Sequence, residues 1–268
     1  MAYGSKGKRG GKSRRPYVRR ARKAAAKKNT FAKRVLDVVR STVETKQAYL
    51  SFPMTSFNSF ATSQADVIQV IPNVNKGTAD NQRIGDQLHP QRLKFRAIIN
   101  MIPQDPSQSN TIRRIWCRLL VFTVKAFPNY TSAYNNWSTW IGTVLKKGGT
   151  TTGFNGDIVD ANAPVNTDAL TVHMDKLMFF GQDLVYNSAS TAVSTYAVGT
   201  TTKFVNKTWN FGRTKKFKYD DSISSGLLPQ SDGYVALLGY GFMDGTSPES
   251  LVSRMQMQFI STLDYEDA

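Results

Sequence analysis

From residue 46 onward the apolar positions recur every second residue in one segment after another. In 92–102 Leu93, Phe95, Ala97, Ile99 and Met101 fall on one face, and Lys94 and Arg96 fall on the other. This is the pattern of a strand with one side in a core and one side wet. In 113–124 Ile115, Cys117, Leu119 and Val121 alternate with Arg114, Trp116, Arg118, Leu120 and Phe122. Near the end, Met255, Met257, Phe259, Ser261 and Leu263 alternate with Arg254, Gln256, Gln258, Ile260 and Thr262. Segment 234–243 is apolar on both faces and reads as a central strand. Further strands are expected over 46–56, 66–71, 169–180, 182–187 and 202–219. The breaks between them hold Gly, Pro, Asn, Ser and Thr. One stretch, 133–146, predicts a helix. About eight strands, long connections and little helix predict an all-β fold, an eight-stranded jelly-roll sandwich over 46–268. Uncharged Thr/Asn/Ser/Gly-rich loops such as 148–156 and 187–202 suit surfaces that meet other subunits or a host.

The alternation fails before residue 46, and charge changes the picture. The first forty residues hold fifteen Lys and Arg against one acid, Asp37, a net +14 out of +16 for the chain. The remainder is nearly neutral. Residues 1–28 lack the apolar surface needed to offset ordering entropy, and their like charges repel, so they are expected to be a disordered arm. Its cations are Lys6, Lys8, Arg9, Lys12, Arg14, Arg15, Arg19, Arg20, Arg22, Lys23, Lys27 and Lys28. Guanidinium clusters of this kind suit phosphate oxygens. No base-reading motif accompanies them, so binding is expected to be sequence-tolerant and driven by counterion release. The clusters Arg14-Arg15 and Arg19-Arg20-Ala21-Arg22-Lys23 also fit a nuclear localisation signal. In 29–45 Phe31, Val35, Val38, Val39 and Thr42 recur at helical spacing behind Asn29 or Thr30, which predicts a short amphipathic helix or joint.

The catalytic inventory is thin, and no enzyme is expected. His89 and His173 lie in different strand regions, and no nucleophile elbow, phosphate loop, zinc-protease motif or dinucleotide fingerprint is present. Cys117 is the only cysteine, which excludes an intrachain disulfide and a cysteine zinc cage. Neither a metal nor another cofactor is expected. No apolar run approaches 18 residues, so no membrane insertion is expected, and the basic start lacks the apolar region of a secretory signal.

The segment "NQRIGDQLHPQRLKFRAIINMI", with its turn Arg83-Ile84-Gly85-Asp86 leading into a long strand, resembles capsid proteins of circular, Rep-encoding single-stranded DNA viruses of the circovirus-like groups. "RRIWCRLLVFTVKAF" resembles the next strand of those proteins, "GRTKKFKYDD" a late basic strand and "YVALLGYGF" the penultimate one. Geminivirus and satellite-virus coats share the architecture. The resemblance implies a shell of sixty subunits (T=1) around a single-stranded DNA genome, assembly in the host nucleus through an import receptor, and attachment of the virion to a host receptor or glycan. Sixty arms would carry about 840 positive charges, enough to neutralise on the order of 800 phosphates. Extended, forty residues reach at most about 130–140 Å.

On the body, Lys94, Arg96, Arg114 and Arg118 each lie opposite an apolar stripe. They are expected to project from one sheet as a basic patch on the inner wall, against the genome; on the outer wall they would suit an acidic glycan. The alternative reading is a cellular or viral nucleic-acid-binding protein, a nuclear shuttle or a chromatin- or RNA-associated domain, with a basic tail.

Overall fold

The computed structural model describes residue 34 and residues 45–58, 61–102, 114–181, 183–185, 195–197, 201–212, 214–220, 227–243 and 253–267. The arm 1–28 and nearly all of the joint 29–45 therefore lie outside the described residues. The chain divides into two units after Glu44, and the fold described here is that of the second.

Its strands in chain order are β1 (Thr45–Phe57), β2 (Ile68–Gln69), β3 (Gln87–Met101), β4 (Ile115–Val124), β5 (Leu145–Lys147), β6 (Thr150–Thr152) and β7 (Leu170–Phe180). They continue with β8 (Asp183–Val185), β9 (Thr195–Ala197), β10 (Thr202–Asn210), β11 (Phe217–Lys218), β12 (Val235–Phe242) and β13 (Met255–Asp267). The all-β expectation holds. The first sheet has the order β1-β13-β3-β10, with β11 also pairing β3; the second has the order β2-β12-β4-β7. Every pairing in these two sheets is antiparallel. Strands pair from the outside of the sequence inward: β1 with β13, β2 with β12, β3 with β10, β4 with β7.

The main core lies between the two sheets. Leu93, Phe95, Ala97 and Ile99 of β3 and Met257, Phe259 and Leu263 of β13 cluster with Cys117, Leu119 and Val121 of β4 and Ala236, Leu238 and Tyr240 of β12. Stacked rings reinforce it: Phe259 lies 5.0 Å from Phe52 and 4.9 Å from Phe95 between centroids. Burial drives this arrangement, at roughly 1.5–3 kcal/mol per large apolar side chain.

In the second sheet the central strands β4 and β12 are buried on both faces. On the sheet's far side Trp116, Leu120, Phe122, Val235 and Leu237 meet Trp140, Ile141, Val144, Phe154 and Ala161 in a second cluster. Hence β4 and β12 read as continuous apolar runs, although antiparallel sheets often leave one face wet. Gly239 and Gly241 let this covering layer approach. A Cβ at Gly239 would collide with the Phe154 ring, and one at Gly241 with the carbonyl of Gly156. The first sheet has only one buried face, so β3 keeps a clean alternation.

Three expected elements differ. The helix expected over 133–146 is broken into Tyr130–Asn135, Trp137–Trp140 and a 3-10 turn Ile141–Thr143, after which Leu145–Lys147 is a strand. Asn129 caps the first piece through Ser132 N–H at 2.6 Å. Trp140 then donates its indole N–H to the Ala133 carbonyl at 2.8 Å. The apolar positions are held by the sheet beneath them, not by a continuous helix. The strand expected over 66–71 shrinks to Ile68–Gln69, because Asp66 accepts from both the N–H and the hydroxyl of Ser63 at 2.8 Å and closes a 3-10 turn. The strand expected over 202–219 divides into β10 and β11, with Gly212 between them. The hairpin β5–β6 turns through Gly148 and Gly149, both at positive φ (55° and 95°), where a residue without Cβ fits best.

Candidate nucleic-acid interface

The outward face of the first sheet holds the sequence-derived candidates Lys94 and Arg96. On β3 the outward residues are Arg92, Lys94, Arg96, Ile98 and Asn100, since their alternate neighbours are in the core. The register sets their companions. Thr262 of β13 and Thr208 of β10 flank Lys94, Ile260 and Asn206 flank Arg96, and Gln258 and Phe204 flank Ile98. On the far side of β13, Tyr49 stands beside Thr262 and Ser51 beside Ile260.

Three cations and one carboxylate share this face. Asp264 receives hydrogen bonds from Gln47 at 2.7 Å and from Arg92, and forms an ion pair with Lys94 at 3.0 Å. Burial pushes its carboxyl up, but the hydrogen bonds from Gln47, Arg92 and Lys94 outweigh this and hold it below the usual carboxylate value. Two of the three cations are thus anchored on one acid. Arg96 is exposed and forms no ion pair among the described residues.

Beside Arg96 the face carries apolar rings in water. Phe204 is 69% exposed, Tyr49 71% and Ile260 49%. Arg96, Phe204, Asn206 and Ile260 contribute to an open cleft of about 480 Å³.

The expectation that Lys94, Arg96, Arg114 and Arg118 project from one sheet is corrected. Arg114 immediately precedes β4, in the second sheet, and packs against Gly181. Arg118 is on β4 and only 5% exposed. Its Nε and Nη2 donate to the two carboxylate oxygens of Asp175 at 2.8 and 2.6 Å. Its Nη1 donates to the carbonyls of Asp160 and Ala163 at 2.9 and 2.6 Å. The guanidinium fork is occupied in tying the Ile158–Asn162 helix onto the sheet. Alternation alone did not reveal this, because β4 has no wet face.

Other candidates take structural positions. His173 stacks on Tyr234 with centroids 3.9 Å apart, and its Nε2 lies 2.9 Å from the Thr123 hydroxyl. Burial pushes it down to about 4, with Asp232 opposing and Lys215 adding to the shift. His89 Nδ1 lies 3.3 Å from the Lys215 carbonyl. Burial also pushes the Cys117 thiol up, away from reactivity. Among the described residues, no group of three or more His, Cys, Asp or Glu is placed to hold a metal, and no helix is long and apolar enough to cross a membrane.

Sequence reasoning did not single out Arg92, Phe204 or Tyr49. Arg92 was available from the i, i+2, i+4 spacing with Lys94 and Arg96. Phe204 and Tyr49 were hidden because an aromatic in a strand reads as core, and only the pairing register shows them on the wet face. In comparisons with protein-family models and with curated proteins, the chain matches none.

Proposed function

We propose that the chain is a capsid subunit whose body is a jelly roll and whose basic arm packages single-stranded DNA in a closed icosahedral shell. The observation that carries this reading is the segregation of charge: +14 in forty residues, followed by an almost neutral folded body. A polyvalent cation tethered to a wall-forming domain condenses a flexible polyanion on the inside of whatever the domain builds. The strand pairing supports the jelly-roll reading. Numbering only the eight principal strands in order gives sheets 1-8-3-6 and 2-7-4-5, one long hairpin wrapped on itself. The resemblance to circovirus-like coats argues for sixty copies. In this reading Arg14, Arg15, Arg19, Arg20, Arg22 and Lys23 also serve nuclear import. The exposed loops meet neighbouring subunits and a host receptor or glycan.

Electron microscopy of the purified full chain, with the absorbance ratio at 260 and 280 nm, tests the proposal. Closed particles with bound nucleic acid are expected. Deleting residues 1–28 should leave cooperative unfolding of the body and remove the nucleic acid. A protein that stays monomeric or dimeric on DNA and never forms shells would establish the nuclear-shuttle or chromatin-type alternative instead.

A further inference from the structure

The wet face of the first sheet combines features that a solvated strand surface does not need. Two large rings, Phe204 and Tyr49, stand about seven-tenths in water. Both cost free energy while exposed, and neither covers the core. Arg96 stands between them in the register, with Asn206 and Ile260 beside it. Lys94 and Arg92 share the single carboxylate of Asp264, so the patch keeps a net charge of +2, and Arg96 is its one cation with no ion pair among the described residues, able to donate to a phosphate. The rings are three strands apart across the sheet and four residues apart along it, which places their Cα atoms about 20 Å apart at ordinary strand spacings.

We propose that this face is a second nucleic-acid site, selective for single strands, in which Phe204 and Tyr49 stack unpaired bases and Arg96 holds a phosphate between them. The inference rests on the packaging reading, because the arm must bring the strand to the wall. Stacking platforms flanking a cation are the recurrent way to hold single strands without reading sequence. A duplex keeps its base faces stacked on one another and cannot offer them to the rings. Charge complementarity selects the occupant: the patch is positive, and the chain's own arm, of the same sign, is repelled from it. The amide and hydroxyl side chains of Asn206, Gln258 and Thr262, all lining the cleft, supply hydrogen bonds that tolerate any base. The body thus discriminates strand type, which the arm, binding through phosphate charge alone, does not.

The test uses the full-length chain and an iododeoxyuridine-substituted oligothymidylate at about 0.5 M salt, where the arm's counterion-release contribution is suppressed. Irradiation should cross-link the oligonucleotide to the tryptic peptide beginning at Phe204. Phe204→Ala should remove that adduct and weaken single-strand binding about tenfold, with duplex binding unchanged. Arg96→Gln should reduce the salt slope for single strands by about 0.7. Circular dichroism of both variants should be unaltered, since both side chains are exposed. Cross-links confined to residues 1–44, equal losses for single strand and duplex, or protection of the face by a sulfated glycan but not by the oligonucleotide would each overturn the sheet site and leave the packaging reading standing. A wild-type chain that bound neither oligonucleotide nor duplex at low salt would overturn both.

Discussion

Arg118→Ala separates a structural cation from a DNA-binding one. In the folded protein the Arg118 guanidinium makes four hydrogen bonds, two to Asp175 and two to main-chain carbonyls of the segment that covers the second sheet. Truncation leaves both carbonyls and one carboxylate without that partner. Breaking a buried ion pair from one side costs about 3–5 kcal/mol. Asp175 is 36% exposed, so water recovers part of its solvation and the lower end, about 3 kcal/mol, applies. For a body of this size the melting temperature should fall by about 6–12 °C. Arg118→Lys keeps the charge but not the planar fork, and should lose more than half of that stability. The assay is denaturant unfolding of the full chain, paired with DNA affinity as a function of salt. A loss below about 1 kcal/mol, together with a salt slope shallower by about 0.7, would show that Arg118 serves phosphate and that the clamp is incidental.

Other outcomes follow from the same reasoning. If the arm's fourteen net charges all engage phosphate, log affinity for single strands should fall with log salt at a slope of about −10, with no tenfold preference among oligonucleotides of equal length; titrations at four salt concentrations measure both. Because burial holds the folded His173 near 4, below its ordinary 6.5, the unfolded chain binds more protons between those values. Stability should therefore drop as pH falls from 6.5 toward 4. His173→Gln should flatten that window, leaving the loss due to Asp264 to appear only below about 3.8; unchanged curves for the variant would refute the assignment. Gly241→Ala should destabilise the body by about 1–3 kcal/mol through overpacking against Gly156 and Trp116, measured by the denaturation midpoint.

Much of the first sheet was legible because it has one wet face. In β3 every second residue from Leu93 to Met101 is in the core, and the intervening cations are where alternation puts them. The second sheet defeated the same reasoning at Arg118. Alternation identifies two faces but not what covers them, and here a layer built from 137–166 turns the second face into another interior. The helix expected over 133–146 failed for a related cause. Trp137, Trp140, Ile141 and Val144 do fall at helical spacing, but the sheet beneath satisfies them piecewise. The site was half legible. Arg96 followed from spacing, whereas its neighbours Phe204 and Ile260 come from strands more than a hundred residues away in sequence, and pairing partners at that range leave no local signal.

The inside-out pairing of the strands bears on how the protein comes into being. Strand β13 lies between β1 and β3 in the first sheet and hydrogen-bonds to both. During synthesis β1 and β3 emerge long before it, and for most of that time the two have no strand to bridge them. A chain that stops before Met255 is left with two orphan edges, and Phe52 and Phe95 lose the Phe259 ring they pack against. Such high sequence separation slows folding, and exposed edges invite aggregation. It also acts as a checkpoint: the first sheet closes only after β13 has been made. In the proposed shell, an unfinished subunit would be excluded by its own topology.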